Sequence, residues 1–416
     1  MDEKSEKVVL FNNVKDCCGC GACMSACPKN AIRMITDEYG FVYPEISDDI
    51  CIQCRKCLNS CAYQNDLKLN IPLKSYAAVN KDEEQLKMSA SGGVFSVLAN
   101  NTINSGGTVF GATLYHDGEN LIIEHIRIDD QKDIYKLQGS KYVHSDTSKI
   151  FKFVENDLKT GKPVLFTGTP CQVGALKGFL KKEYDNLLTV DIICHGVPSQ
   201  KLFNDYIAFK ENKHNIKINN YKFRYKNKGQ GISSYIEFEN NNKQCRYKVI
   251  NGKEESYVFF FLKSYIYREN CYSCKYARNS RISDITIGDY WGFHAEHKDA
   301  DHKLFSNSKG VSCLITNTEK GNVAIERVKD EYYLLDTSFK SVARHNAQLV
   351  SPSKLSSNRR IILDMYLNYG YKGVDDYFRK NFKKEIIIEK IKYITPKSLK
   401  RTIVKAISNN EAGLKR

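Results

Sequence analysis

Apolar runs separated by polar loops predict strands followed by helices in the middle of the chain. Val164–Phe166 is a continuous apolar run, followed by a tight loop and by a helical pattern that begins near Gln172. Leu188–Ser199 repeats the same order of strand, loop and helix. Both patterns place a cysteine, Cys171 or Cys194, at the carboxyl end of a strand. In open α/β sheets this edge is where ligands bind.

Further segments complete a mixed pattern. Lys74–Asn80 predicts a short strand, and Asp284–Ile287 predicts another that leads into Gly288-Asp289-Tyr290-Trp291-Gly292. Between about residues 216 and 250, β-branched and aromatic residues alternate with polar ones around Gly229-Gln230-Gly231, which predicts hairpins. We therefore expect an α+β or α/β fold, with β-hairpins inserted into a mixed α/β region.

The C-terminal segment has a different pattern. From Phe378 to Arg416 the chain carries 12 Lys and Arg against 3 Glu, a net charge of +9 out of +15 for the whole chain. Apolar residues recur there at near-helical spacing: Ile386, Ile387, Ile391, Ile394, Leu399, Ile403, Val404 and Ile407. Such a helix either docks its apolar stripe on the protein body, the commoner case, or lies on an anionic membrane surface. No nucleic-acid recognition motif accompanies the charge, so we expect no nucleic-acid partner.

Length and composition narrow the class of protein. A chain of 416 residues predicts two or three domains, and 42% hydrophobic with 11% aromatic residues exclude general disorder. The N-terminal MDEKSEKVVL is too charged for a signal peptide, and the longest apolar run, SYVFFFLKSYIY, is too short to span a bilayer. We expect a cytoplasmic protein, with peripheral contact at the inner face of the membrane as an option through its basic tail.

Fifteen cysteines in a cytosolic chain point to metal or redox chemistry, because cytosolic thiols stay reduced. Cys17, Cys20, Cys23 and Cys27, followed by Pro28, form the run C-x2-C-x2-C-x3-C-P, and Cys51, Cys54, Cys57 and Cys61 repeat its cysteine spacing. In such runs the fourth cysteine ligates the other cluster. The predicted ligands are Cys17, Cys20, Cys23 and Cys61 for the first 4Fe-4S cluster, and Cys51, Cys54, Cys57 and Cys27 for the second.

Residues 10–65 resemble bacterial two-cluster ferredoxins on these runs, with Ala62 in place of the second proline. Zinc bound by paired C-x2-C motifs is the alternative, and two complete runs of equal spacing argue against it. Cys18, between two ligands, is interpreted as a spare thiol.

Two segments of the body have the composition of a cofactor site. Ser91-Gly92-Gly93 precedes a helix-like run, Val94–Ile103, whose first N–H groups could bind an anion such as pyrophosphate. Gly139-Ser140-Lys141-Tyr142 combines a glycine, a hydroxyl, a cation and an aromatic ring. The first set also suits a plain turn, and the second suits any surface loop.

Six motifs in order, behind the ferredoxin region, resemble the beta subunit family of coenzyme F(420) hydrogenases and dehydrogenases: ASGGVFS, GSKYV, FTGTPCQ, DIICHGVPS, CYSC and DITIGDYWG. The resemblance covers roughly residues 10–320. It implies FAD, a further iron–sulfur cluster, a redox partner protein or ferredoxin, and electron transfer between a deazaflavin or other organic substrate and the clusters. Related proteins reduce a chlorophyll derivative, so the resemblance leaves the substrate open.

The resemblance implies roles for particular residues. The family-motif cysteines Cys171, Cys194, Cys271 and Cys274 suit a third 4Fe-4S cluster, since a hydride donor delivers two electrons and each cluster carries one. The alternative is two buried thiols and a minor zinc site. FAD would be bound by Ser91, Gly92, Gly93, Gly139, Ser140, Lys141 and Tyr142. Cys245 and Cys313, in strand-like runs, are expected in the core.

Other polar residues have two interpretations each. His195 could shuttle a proton, or it could bond the loop that carries it. Lys141 is the second catalytic candidate and could offset negative charge on a flavin or phosphate, although a solvated lysine is the default. Asp289 and Trp291 could shape the pocket. His294, His297 and His302 suggest a metal site, but HAEHKDADH has the composition of an exposed loop.

These interpretations divide the chain into four parts: 1–72 ferredoxin, 73–158 and 159–325 the two parts of the F(420) dehydrogenase beta-like region, and 326–416 a basic helical extension. The function we expect is an FAD- and iron–sulfur-dependent oxidoreductase. The alternatives are a non-catalytic electron-transfer adaptor with a degenerate flavin pocket and a structural iron–sulfur protein at a membrane-bound assembly.

Overall fold

The structure is a computed structural model that describes residues 7–226, 231–240 and 242–394. The strands are β1 (Ile32–Thr36), β2 (Val42–Ile46), β3 (Lys74–Asn80), β4 (Thr108–His116), β5 (Leu121–Ile128), β6 (Val164–Gly168), β7 (Leu187–Ile192), β8 (Lys217–Lys222), β9 (Ser233–Glu239), β10 (Cys245–Asn251), β11 (Ile285–Asp289), β12 (Ser312–Thr316) and β13 (Tyr332–Thr337). The α-helices are α1 (Ala22–Ala26), α2 (Lys56–Asn59), α3 (Glu83–Met88), α4 (Val94–Asn104), α5 (Ile134–Leu137), α6 (Phe151–Lys159), α7 (Pro170–Leu180), α8 (Gln200–His214), α9 (Ser256–Leu262), α10 (Phe293–Glu296), α11 (Glu319–Val328), α12 (Phe339–Arg344), α13 (Ser357–Asn381) and α14 (Lys383–Ile394).

An eight-stranded mixed sheet organises the body, in the order β13-β3-β12-β11-β7-β6-β4-β5. The neighbouring strands β11, β7, β6 and β4 run parallel, and the outer pairs are antiparallel. The expected mixed α/β fold is confirmed. The sheet takes strands from residues 73–158 and 159–325, and β13 from the segment after 326.

The apolar run in β6 is continuous because both faces of the sheet are covered. Val164 and Phe166 pack with residues of α6 and α7 on one face, whereas Leu165 packs with α4 on the other. Successive side chains of a strand point to opposite faces, so a strand buried on both sides needs apolar residues at every position.

Helix α7 begins two residues earlier than the sequence predicts, at Pro170 rather than Gln172. Thr169 is its N-cap, and the Thr169 N–H donates to the Gln172 side-chain oxygen (2.9 Å). Proline suits the first helical position, where its missing N–H is not needed. Cys171 therefore lies in the first turn of α7, immediately after β6.

The predicted hairpins form a separate three-stranded antiparallel sheet, β10-β9-β8. Its turn residues Gly229 and Gln230 lie outside the described residues. The prediction that Cys245 belongs to the core is wrong: Cys245 is exposed, because β10 is an edge strand of this small sheet. Cys313, on β12 inside the large sheet, is fully buried as expected.

The ferredoxin region packs directly on the body. It contains the antiparallel pair β1–β2 together with α1 and α2. A Cβ on Gly178 of α7 would lie 2.6 Å from the Ser60 carbonyl oxygen, so glycine permits the close approach. The Tyr276 hydroxyl donates to the Ala62 carbonyl (2.9 Å), and Thr147 donates to that of Cys20 (2.8 Å). The cysteine runs are thereby held against the large sheet.

The basic C-terminal segment is helical as far as it is described. Ile386 of α14 packs on the core, whereas Ile387 and Ile391 are exposed. The remaining stripe residues, Leu399, Ile403, Val404 and Ile407, lie outside the described residues. No helix in the described part of the chain combines the length and apolarity needed to cross a membrane.

We predict that Asp191→Ala strongly lowers the stability of the protein. Asp191 and Arg281 form an ion pair (2.9 Å) with side chains only 0% and 1% exposed, and removing one partner of a buried pair costs about 3–5 kcal/mol. Glu45→Ala, which breaks the exposed pair with Arg33, should cost about 1 kcal/mol or less. Thermal melting of both variants measures this, and equal melting temperatures would contradict the prediction.

Candidate redox site

Four thiols from both cysteine runs converge in the ferredoxin region. Burial raises the pKa of Cys23 well above its usual range, and the charges of Cys20, Cys17 and Cys61 add to this effect. Burial likewise raises the pKa of Cys61, with Cys20 as the next cause. This first thiol group (Cys17, Cys20, Cys23 and Cys61) is the set that the sequence predicts for the first cluster.

The second thiol group surrounds a small cavity of its own. Cys27, Cys51, Cys54 and Cys57 all line a volume of about 20 Å³. The backbone N–H of Ala31 donates to the Cys27 sulfur (3.2 Å), as amides do around iron–sulfur clusters. Cys57 is buried and Cys54 is exposed, so this group lies near the surface.

The third thiol group joins distant parts of the chain. Cys171 lies in the first turn of α7, Cys194 follows β7, and Cys271 and Cys274 follow α9. Burial raises the pKa of Cys194 well above its usual range, and the charges of Cys271, Cys171 and Cys274 raise it further. Burial also raises the pKa of Cys271 to about 12. The structure therefore brings together the four cysteines proposed for a third cluster.

The cysteines of these groups are related by their burial and by the effect of each thiolate charge on the pKa of the others. They do not have the geometry of a site for a single metal ion. Among the described residues, no three His, Cys, Asp or Glu side chains form a group that could hold a single metal ion. Four thiols buried together resist ionisation because each thiolate repels the others and loses hydration. A cationic core with several iron atoms offsets both costs, since metal ligands bind as thiolates. The donor set fits iron–sulfur clusters.

A cavity of about 550 Å³ lies at the carboxyl edge of the parallel strands, within the roughly 300–1,000 Å³ typical of cofactor pockets. Its walls are the segments that follow β6 and β7, the end of β11, and the loop before α6. All four cysteines of the third thiol group line it. A cofactor in this cavity would therefore lie beside that group.

Most of the proposed flavin residues line this same cavity: Ser91, Gly93, Gly139, Ser140, Lys141 and Tyr142. Gly92 is not among the lining residues. A Cβ on Gly92 would lie 2.1 Å from the Ala78 carbonyl oxygen, and its N–H donates to the Ser312 hydroxyl (2.8 Å). Gly92 thus lets the loop pack closely on β3 and β12.

The N-terminus of α4 faces the cavity in a form suited to an anion. Its N-cap, Gly93, has a φ of 81°, and no side chain caps the helix, so N–H groups of the first turn are available to a ligand. Gly139, with a φ of 80°, has no atom within 4 Å of a would-be Cβ. Gly139 therefore leaves its backbone accessible at the cavity wall, whereas a Cβ on Gly93 would lie 3.0 Å from that of Asn80.

Lys141 is not a solvated lysine. Its ammonium donates to the carbonyls of Gln138 (2.9 Å) and Lys136 (3.3 Å), and among the described residues it forms no salt bridge. Burial lowers its pKa to about 7. Lys141 is therefore an ammonium beside the cavity only below about pH 7, and an anionic ligand would stabilise this charged form.

His195 also lines the cavity, where its ring keeps accessible surface. Burial lowers its pKa, and the charge of Asp289 opposes this effect. The imidazole is thus mostly neutral near pH 7 and can accept a proton from a group in the cavity. Its backbone carbonyl accepts a hydrogen bond from Ser353 (2.6 Å), which fixes the loop rather than the ring.

An ion pair at the cavity was missed by the sequence analysis. The guanidinium of buried Arg224 lies 2.8 Å from the Asp289 carboxylate and 5.7 Å from the ring centre of Trp291. All three residues line the cavity. The motif around Asp289 and Trp291 indicated that these two residues shape the pocket. No local sequence pattern identified Arg224, which follows β8 of the hairpin sheet.

Cys18, which the sequence suggested is a spare thiol, lies close to cysteines of two groups. It is buried, it lines the cavity, and its thiol lies within hydrogen-bond reach of both Cys20 and Cys171. The hydrogen bond that Cys18 donates lowers the pKa of Cys171 to about 7. Cys18 therefore joins the first and third thiol groups.

The histidines His294, His297 and His302 do not lie at the cavity. His294 and His302 contact each other through their Nδ1 atoms (2.9 Å), and His297 bonds the hydroxyls of Tyr290 and Thr337 (3.0 Å each). Of the three, His302 alone is exposed, so the expected exposed loop is partly a packed turn that begins with α10.

Two family models match this chain. Residues 161–340 match the family described as the C terminus of the coenzyme F(420) hydrogenase/dehydrogenase beta subunit, and residues 16–65 match the 4Fe-4S dicluster domain.

Two individual proteins are also similar. An uncharacterized protein of Methanocaldococcus jannaschii is 26% identical over 201 residues, which cover 41% of this chain and 54%, about half, of that relative. A chain of the F(420)-reducing NiFe hydrogenase complex from Methanosarcina barkeri aligns with a TM-score of 0.43 and 16% identity, covering 72% of this chain and 94% of that one. Residues 161–340 thus carry the C-terminal region of the coenzyme F(420) hydrogenase/dehydrogenase beta subunit family, and residues 16–65 carry a 4Fe-4S dicluster domain.

Proposed function

We propose that the protein is an iron–sulfur flavoprotein oxidoreductase, which uses FAD to move electrons between a reduced organic cofactor or substrate and its 4Fe-4S clusters. One observation carries the proposal: the cavity of about 550 Å³ is lined both by six of the candidate flavin residues and by the four cysteines of the third thiol group. A deazaflavin of the coenzyme F(420) type is the donor that the family suggests.

The chain's own residues have distinct tasks in this proposal. The N–H groups at the start of α4 and the Lys141 ammonium bind the anionic part of the cofactor. His195 holds or receives the proton that accompanies hydride chemistry. FAD, when bound, supplies the conversion between one two-electron step and two one-electron steps.

The three thiol groups form a path away from the cavity. The third group lines the cavity, Cys18 lies within hydrogen-bond reach of Cys171 and Cys20, and the first group begins at Cys17. The second group shares the ferredoxin region with the first and includes the exposed Cys54. Electrons from the cavity would leave singly through these groups toward a redox partner protein or ferredoxin.

A non-catalytic adaptor would use the same thiol groups without a flavin. The two functions differ in one measurable property, the presence of FAD after anaerobic purification. Yellow cofactor released by denaturation supports the enzyme, whereas iron–sulfur absorbance alone would contradict it. The neutral imidazole and the Lys141 ammonium at the cavity favour the enzyme, because an adaptor needs neither.

We predict that Lys141→Met weakens FAD binding about tenfold to hundredfold, since a hydrogen bond to a charged group contributes about 1.5–3 kcal/mol. Lys149→Met, which replaces an exposed lysine of the same segment, should bind FAD normally. Flavin fluorescence titration of the deflavinated protein gives both dissociation constants. Equal constants for the two variants would contradict the role of Lys141.

The pH dependence of FAD affinity should also depend on Lys141. Its pKa of about 7 in the free protein rises when an anion binds, so binding takes up a proton above pH 7. Affinity should therefore be fully present below pH 7 and fall by up to about tenfold per pH unit above it. Titrations between pH 6 and 9 should show this slope in the wild type and not in Lys141→Met.

Iron analysis tests the third cluster. Two clusters account for about eight irons per chain and three for about twelve, so we expect about twelve after anaerobic reconstitution. Cys171→Ala should lose about four irons and keep the ferredoxin spectrum, because the dicluster thiols remain. Cys313→Ala, at a buried thiol outside the three groups, is the control and should lose none. About eight irons in the wild type would refute the third cluster.

A further inference from the structure

Arg268 is a fully buried cation between two of the thiol groups. Only 1% of the residue is exposed. It immediately precedes the turn that carries Cys271, and its backbone N–H donates to the carbonyl of Val197, in the segment after Cys194 (2.9 Å). The backbone of Arg268 is thereby tied to two segments of the third thiol group.

The side chain of Arg268 reaches into the ferredoxin region. Its Nε donates to the Cys17 carbonyl (2.9 Å), and its guanidinium lies 4.1 Å from the ring centre of Tyr43. A Cβ on Gly19 would lie 3.0 Å from Nη1, so the turn between Cys17 and Cys20 wraps around the guanidinium. The cation therefore lies beside the first thiol group as well.

No carboxylate among the described residues balances this charge by a salt bridge, and Nη2 is buried without a hydrogen-bond partner. The other fully or largely buried arginines at the site are paired: Arg281 with Asp191 (2.9 Å) and Arg224 with Asp289 (2.8 Å). Asp37 feels the charge of Arg268 only as a minor influence on its pKa, which burial raises. An unpaired buried cation is costly, so its counter-charge must come from elsewhere.

The groups on which Arg268 acts show where that counter-charge lies. Its side chain bonds the backbone carbonyl of Cys17 in the first group, and its own backbone begins the turn that carries Cys271 of the third. A 4Fe-4S core with four thiolates carries net negative charge, and one-electron reduction adds another unit. Net charge and hydrogen bonding around a cluster set its reduction potential.

We propose that Arg268 is the shared counter-charge of the first and third clusters, a positioning residue that stabilises the one-electron-reduced state of each. The proposal rests on the proposed function in that both thiol groups must hold clusters. If each thiol group holds a cluster that accepts one electron, the fixed guanidinium of Arg268 would offset the added negative charge without moving.

The test is an anaerobic redox titration of the holoprotein with dithionite, followed by electron paramagnetic resonance. Arg268→Gln should shift the midpoint potentials of the first and third clusters to more negative values and leave the second cluster unchanged. The control is Arg359→Gln: Arg359 is largely buried and close to the same turn, but is already paired with Glu269 (2.8 Å), so its removal should shift none. Cys171→Ala, which lacks the third cluster, assigns the signals. Unchanged potentials in Arg268→Gln at full iron content would overturn the proposal.

Two further outcomes keep the test decisive. If Arg268→Gln fails to load iron, Arg268→Lys retains the charge: restored iron and a smaller negative shift support the counter-charge role, whereas iron still missing from Arg268→Lys overturns it in favour of a purely structural role. If the wild type holds only about eight irons, the third-cluster part of the proposed function fails. The shift of the first cluster then still tests Arg268 independently.

Discussion

The burial of closely packed cysteine thiolates is the constraint on which the rest of this structure depends. Thiolates that are packed together repel one another and lose hydration, so each group needs positive charge supplied at short range. An iron–sulfur core supplies part of it. The remainder comes from fixed dipoles and cations, such as the amide of Ala31 at Cys27 and the guanidinium of Arg268. The protein must hold these groups in place, because their interaction with the sulfur atoms weakens as the distance grows.

The fold meets this demand by packing the ferredoxin region against the carboxyl edge of the large sheet. The parallel strands β6, β7 and β11 end at one edge, so the segments after them meet there although they are far apart in sequence. Gly178 of α7 removes the space between the two regions, since a Cβ there would lie 2.6 Å from the Ser60 carbonyl oxygen, and Gly174 of the same helix makes room within the body for the Tyr276 hydroxyl. Tyr276 in turn bonds the Ala62 carbonyl. The same contacts that fix the domains fix the spacing of the thiol groups.

The sequence predicted those features that depend on the spacing of nearby residues. The cysteine runs gave the membership of the first two groups, and the apolar run of β6, followed by a tight loop and a helical pattern from about Gln172, gave the edge at which Cys171 lies. It could not predict partners separated by hundreds of residues: the contact between Arg268 and Cys17 has no local signature, and neither has that between Cys18 and Cys171. The prediction for Cys245 was wrong because alternation gives the faces of a strand but not its place at the edge of a sheet.

The unequal exposure of the thiol groups matches the two kinds of chemistry at the ends of the path. In the proposed function, hydride transfer takes place in the cavity at the carboxyl edge of the sheet, and the third thiol group lies in the wall of that cavity. Transfer of a single electron needs only proximity to a partner, and the second group, with the exposed Cys54, lies near the surface. Between them, Arg268 and Cys18 contact the first group and the third. A buried guanidinium without a carboxylate partner among the described residues therefore lies at the junction that an electron would cross in the proposed function. A cation at either end would favour one cluster alone, whereas a cation at this junction lowers the cost of negative charge on both sides of the transfer.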